Sequence, residues 1–202
     1  MRPTIKIMLY AKRHVLAPAE LAIGKAFSFL SPNTWTLLSI AFAIASAFFL
    51  SQRTFLAGGL LLAATAFLDL IDGSVARYLK KATVRGAYLD TIMDRYVEGI
   101  IIISLLFAGL PDYVLSVPAW LMIYLFGSFM TTYAKAALAE KAQLEVKGGL
   151  LERAERMLIL IAGVFFASLD VVYLSYAVIA LSVLTNISAL QRIYAGIRKI
   201  NE

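Results

Sequence analysis

Long apolar runs divide this chain. They lie at about 33–52, 54–79, 86–110, 114–138, 154–169 and 171–191. A helix needs about 17–25 largely apolar residues to cross ~30 Å of hydrocarbon, so each run predicts a membrane span. The run at 154–169 is the shortest and borrows length from its basic flank. Short turns join several of the runs: Ser51-Gln52-Arg53, Pro111-Asp112 and Ser168-Leu169-Asp170. Connections this short predict antiparallel neighbours in one bundle. The pattern predicts an all-α integral membrane protein with six transmembrane helices. A single domain over 1–202 is expected, with an N-terminal arm and interfacial helix at 1–31, the six helices at 32–195 and a tail at 196–202.

Residues 15–30 are less apolar than a span. Leu16, Ile23, Phe27 and Leu30 recur at helical spacing, with Glu20 and Lys25 elsewhere. This predicts an amphipathic helix lying in the membrane interface. Pro18 would sit in its first turn, where proline is tolerated. An irregular arm is the alternative. No cleavable signal peptide is expected, because the first spanning run begins only near Pro32 and no small-residue cleavage pattern precedes it.

Composition agrees with the runs. The chain has 202 residues, 61% of them hydrophobic, and a mean hydropathy of +0.80; a soluble domain is roughly half apolar. There is no cysteine and one histidine, His14. Disulfides, thiolate chemistry, zinc fingers and histidine-rich metal centres are thereby excluded. Any metal must be held by oxygen, which favours Mg²⁺, Mn²⁺ or Ca²⁺. The net charge of +6 fits anionic headgroups and phosphorylated substrates better than nucleic acid.

The basic residues also alternate by side. Arg2, Lys6, Lys12, Arg13 and Lys25 precede the first run, and Lys80, Lys81 and Arg85 lie between the second and third. Lys141, Lys147 and Arg153 lie between the fourth and fifth, and Arg198 and Lys199 follow the sixth. The opposite loops hold one basic residue, Arg53. The positive-inside rule then places both termini on the cytoplasmic side of a multi-pass cell-membrane protein.

The polar positions that interrupt the second and third runs are few and specific. Asp69 and Asp72 are three apart, and Asp90 and Asp94 four apart. On a helix either spacing puts both side chains on one face. An antiparallel helix pair would bring the two carboxylate pairs together at the cytoplasmic end. Ionised groups at such depth are expensive unless balanced. Gly73 and Gly86 remove side chains where a ligand or backbone must approach. For two aspartates, solvation or pairing with Arg77 would be account enough; four in register ask for one or two divalent cations. A proton or cation pathway is the other functional reading of intramembrane carboxylates.

The run Asp69-x2-Asp72-Gly73-x2-Ala76-Arg77-x8-Gly86-x3-Asp90-x3-Asp94 resembles the signature of the CDP-alcohol phosphatidyltransferases at every fixed position. Pro32-Asn33 with Thr36 resembles the motif that opens that family's first span. The resemblance implies a six-helix membrane enzyme with an N-terminal interfacial helix, usually a homodimer. It implies transfer of a lipid phosphate from CDP-diacylglycerol or CDP-archaeol to an alcohol, releasing CMP. By analogy Asp69, Asp72 and Asp90 hold Mg²⁺ or Mn²⁺, two ions in all. Asp94 would be a ligand and the general base. Pro32, Thr36, Gly73, Ala76, Arg77 and Gly86 would line the CDP-lipid site.

The acceptor rests on a second stretch. Lys135 interrupts the end of the fourth run, Arg153 and Arg156 share one helical face at the start of the fifth, and Arg192 lies near the end of the sixth. Converging, they would bind a phosphate dianion; ordinary positive-inside flanking is the alternative. Tyr133-x-Lys135-Ala136 with Gly148-Gly149-x2-Glu152-Arg153-x-Glu155-Arg156 looks like the branch of the family that uses inositol 1-phosphate, in bacteria and archaea. Ala137 departs from the arginine that bacterial relatives often carry there. Glycerol 3-phosphate or serine is the alternative acceptor.

Overall fold

A computed structural model describes residues 18–146 and 148–201. The regular elements among them are helices. α1 covers 18–26. It is followed by α2 (Pro32–Ser51), α3 (Phe55–Tyr78), α4 (Val84–Leu105), α5 (Val117–Ala142), α6 (Arg153–Ala167) and α7 (Val172–Ile200). Leu16 of the expected amphipathic helix, His14 and Lys147 lie outside the described residues.

Four helices, α2, α3, α5 and α7, are long and apolar enough to cross a membrane. The protein is therefore a multi-pass membrane protein. The remaining two predicted spans are also helical but differ physically. α4 has ample length at 22 residues, yet carries Arg85, Asp90, Asp94, Arg95 and Glu98. α6 has 15 residues, about 22 Å at 1.5 Å per residue, short of a ~30 Å core. Large apolar side chains such as Leu37, Phe48, Leu60, Met122 and Phe126 point outward, as lipid-facing positions do.

Local chemistry sets the helix ends. α4 stops at Leu105, before Gly109 with its left-handed φ of 71°. α5 starts with a proline in its first turn, and Val117 N–H donates to Asp112 Oδ1 at 2.7 Å. α6 opens with a capping box in which Glu152 N–H donates to Glu155 Oε2 at 2.9 Å. α7 runs nine residues past the apolar run that ends at 191 and five past the expected bundle boundary at 195. Its last turn holds Arg198 and Lys199, which favour a helix C-terminus.

The chain forms two compact units. One contains the described residues up to Phe42 together with Ala64–Asp94. Its core is Trp35, Ile71 and Val75, with Ile23, Phe27 and Leu30 of the predicted amphipathic stripe packed against them. Trp35 Nε1 donates to Phe27 O at 3.0 Å. Gly24 allows α1 to touch α3: a Cβ there would meet Ser74 O at 2.6 Å.

The other unit contains Ala43–Ala63 and the chain from Arg95. Leu62, Ile101, Leu105, Leu121, Leu160, Leu174 and Leu181 are among its core residues. Lipid is as apolar as leucine, so helix association relies on close packing and interhelical hydrogen bonds. Both occur here. Asn186 Nδ2 on α7 donates to Ile123 O on α5 at 2.9 Å, and Ser182 Oγ donates to Trp120 O at 2.8 Å. Gly163 lets α6 approach α7, where a Cβ would lie 2.5 Å from Ala177 Cβ.

Gly163→Ala should therefore destabilise the protein by about 1–3 kcal/mol through overpacking. Gly99→Ala, where a Cβ meets nothing within 4 Å, should be neutral or stabilising. Thermal unfolding in detergent checks the contrast. Equal melting temperatures would show that α6 and α7 do not depend on the close approach.

Candidate functional site

The aspartates sit on α3 and α4 in the first unit. α3 carries Asp69 and Asp72 on one face, and α4 carries Asp90 one turn before Asp94. The intervening turn passes through Lys80 in a left-handed conformation, φ 54°. Thr83 then caps α4, its Oγ1 accepting from Gly86 N–H at 3.0 Å. The structure brings carboxylate oxygens of Asp69, Asp72 and Asp90 within 4.8 Å of one another. Asp94, half-buried one turn further along α4, is not one of those three.

Three negative charges at this separation repel by about 3 kcal/mol per pair, taking an effective dielectric near 20. Asp72 is only 7% exposed. Thr36 of α2 donates to Asp72 Oδ2 at 2.7 Å, which fixes that carboxylate. The donor set is all oxygen, the set that a hard divalent ion prefers. The three carboxylates therefore suit Mg²⁺ or Mn²⁺.

A cleft of about 700 Å³ opens beside them. Asp72 and Asp90 line it, and so do Pro32, Thr36, Gly73, Ala76, Arg77 and Gly86. Arg77 is held from outside: its Nε lies 3.1 Å from Glu20 Oε2 on α1. A Cβ on Gly73 would press on Arg77 Nη1 at 3.2 Å, so the glycine leaves the guanidinium its place on the wall. Lys81 and Thr83 also line the cleft; sequence reasoning left both unassigned.

The second unit holds the basic residues. Lys135 on α5 is exposed. Arg153 opens α6 and is half-buried. Arg156 is 2% exposed, with Nε 3.4 Å from Glu98 Oε1 and Nη1 donating to Thr131 Oγ1 at 3.4 Å. Arg192 on α7 donates from Nη1 to Thr131 O at 2.8 Å and from Nε to Gly148 O at 3.0 Å. Arg156 and Arg192 thus meet at one residue of α5. Sequence reasoning does not single out Glu98 or Thr131; the available signal is the i,i+3 spacing of Arg95 and Glu98 on one helix.

Fold and site together define a multi-pass membrane protein whose clustered carboxylates suit a hard divalent cation beside a wide cleft. The chain belongs to the CDP-alcohol phosphatidyltransferase family, which it matches over residues 29–188. It is 34% identical over 128 residues to the archaetidylinositol phosphate synthase of Methanothermobacter thermautotrophicus, an alignment that covers 63% of each chain. Identity to the archaetidylinositol phosphate synthase of Pyrococcus horikoshii is 30% over 183 residues, 88% of this chain and 90% of that protein. The crystal structure of Mycobacterium tuberculosis phosphatidylinositol phosphate synthase with CDP-DAG bound superposes with a TM-score of 0.74 at 26% identity, covering 88% of this chain and 92% of the other. The same mycobacterial enzyme has been solved with manganese and citrate, again at TM-score 0.74, with 88% of each chain covered.

Thr36 supports one of the three carboxylates that suit a cation, and loss of such a support typically weakens metal binding about 10–100-fold. Thr36→Val should do so for Mn²⁺ while the protein stays folded. Titration followed by Mn²⁺ electron paramagnetic resonance measures it. Unchanged affinity would separate Asp72 from the metal.

Proposed function

We propose that this chain moves the phosphatidyl or archaetidyl group from a CDP-lipid to the hydroxyl of inositol 1-phosphate and releases CMP. The observation that carries the reading is the trio Asp69, Asp72 and Asp90 beside a cleft walled by Pro32, Thr36, Gly73, Ala76, Arg77 and Gly86. The relatives named for inositol phosphate synthesis support the acceptor.

In this reading Asp69, Asp72, Asp90 and Asp94 hold two divalent ions, Mg²⁺ or Mn²⁺. Bound there, the ions would neutralise the pyrophosphate and the departing CMP. The residues of the cleft wall receive the CDP head, with the Arg77 guanidinium near its phosphates and the glycines giving it room. The acceptor hydroxyl oxygen forms a bond to the lipid-bearing phosphorus as the bond to the bridging oxygen breaks. CMP leaves with that oxygen, and Asp94 takes the hydroxyl proton. Lys135, Arg153, Arg156 and Arg192 bind the phosphate of the acceptor. Six spans, α2–α7, an interfacial α1, a homodimer, and cytoplasmic placement of both termini and the aspartates complete the proposal. Loop charge supports the orientation.

Purified protein should release CMP from CDP-diacylglycerol or CDP-archaeol only when Mg²⁺ or Mn²⁺ and inositol 1-phosphate are both present. Chelation should abolish release, and restoring the metal should restore it. Preference for glycerol 3-phosphate or serine in an acceptor panel would replace the acceptor; no release with any polar alcohol would overturn the reading. Asp94→Asn should cut turnover by about 10²–10⁴-fold while CDP-lipid binding persists. Full turnover would remove Asp94 from the role of base.

A further inference from the structure

Two arginines proposed to bind the acceptor are held by the protein in the same way. Each is gripped at Nε and at Nη1, with no hydrogen bond from Nη2 among the described residues. For Arg156 the grips are Glu98 Oε1 and Thr131 Oγ1, both at 3.4 Å. For Arg192 they are the carbonyls of Gly148 at 3.0 Å and Thr131 at 2.8 Å. Thr131 is therefore shared: its side chain takes one guanidinium and its main chain the other. Gly149, with φ of 137°, packs directly here, since a Cβ on it would come 3.1 Å from Arg192 Nε.

Glu98 is the hub behind this arrangement. It is 6% exposed. Its Oε2 lies 3.2 Å from Arg95 Nη1, and Tyr124 OH donates to Oε1 across a long 3.5 Å. Arg95 Nη1 also donates to Thr132 Oγ1 at 2.8 Å. Two buried or part-buried guanidinium groups thus share one carboxylate. Beyond these grips, Arg156 makes no hydrogen bond from Nη2 among the described residues.

We infer that Glu98 and Thr131 are positioning residues that set Arg156 and Arg192 as a two-arginine clamp for the acceptor phosphate. The inference rests on the acceptor assignment proposed above. Glu98 fixes the Arg156 guanidinium and keeps it from being buried without a partner. Thr131 sets the spacing of the two guanidinium groups. Neither touches the reacting atoms. Their effect appears in how tightly a phosphorylated acceptor is held.

Steady-state CMP release with CDP-diacylglycerol or CDP-archaeol, Mn²⁺ and inositol 1-phosphate tests this on the full-length protein in detergent. Glu98→Gln and Thr131→Val should each raise the acceptor KM about tenfold or more and leave the CDP-lipid KM within about threefold. Thr131→Ser, which keeps the hydroxyl, should restore the parent acceptor KM. Inorganic phosphate should compete with inositol 1-phosphate in the parent, and at about tenfold higher concentration in the two variants. Glu98→Gln with a lower melting temperature, reduced kcat and an unchanged acceptor KM would make Glu98 structural only and overturn the clamp. So would a Thr131→Val protein that binds acceptor as the parent does. A parent enzyme that ignores inositol 1-phosphate would instead overturn the acceptor assignment, and the clamp with it.

Discussion

Charge placed inside apolar helices has to be balanced, and this protein balances its two signs differently. On α3 and α4 three carboxylates crowd within 4.8 Å. Their mutual repulsion is relieved most simply by a cation from solution. Around α5, α6 and α7 the balance is internal: Glu98 sits between Arg95 and Arg156, and main-chain carbonyls receive Arg192. The first arrangement suits an ion from outside, and the second is built from the chain's own groups. Buried ionic groups seldom add stability over an apolar core, which is why the proposed function assigns each arrangement a ligand.

The rest of the fold supplies the rigidity that such sites need. Little hydrophobic driving force exists between helices in lipid. Glycine and short polar side chains therefore set the contacts. Gly24 seats α1 on α3, and Gly163 seats α6 on α7. Asn186 ties α7 to α5. The α1 contact bears on the cleft, because Glu20 of α1 restrains Arg77 on the cleft wall. A segment that reads as a surface helix thus also orients a cleft residue.

Some of this is legible in sequence and some is not, for physical reasons. The aspartates are legible because helical spacing maps position onto face, and a short turn brings α3 and α4 together. Pro32 and Thr36 were reached only through family resemblance; the 2.7 Å hydrogen bond to Asp72 spans 36 positions and leaves no local trace. Glu98 is harder still. Its local partner Arg95 is three residues away, but its second partner Arg156 lies 58 positions away. Read locally, Arg156 looked like one of four equivalent cations; its burial and pairing separate it from exposed Lys135. Helix and apolar run differ in length where charge and helix propensity part company. Hydropathy ended the last span at 191, yet α7 continues to Ile200, because arginine and lysine are good helix formers and suit a C-terminus.

The difference in legibility follows from the difference in chemistry. Bringing carboxylates together from adjacent turns of two neighbouring helices fixes their spacing, so a motif results. Holding a phosphate requires only that guanidinium groups meet in space. They arrive here on α6 and α7 and are oriented by Glu98 of α4 and Thr131 of α5, four helices with no common spacing. A reaction whose steps depend on the ion is therefore written compactly in the chain. In the proposed function the choice of acceptor is distributed over residues that only the fold brings together.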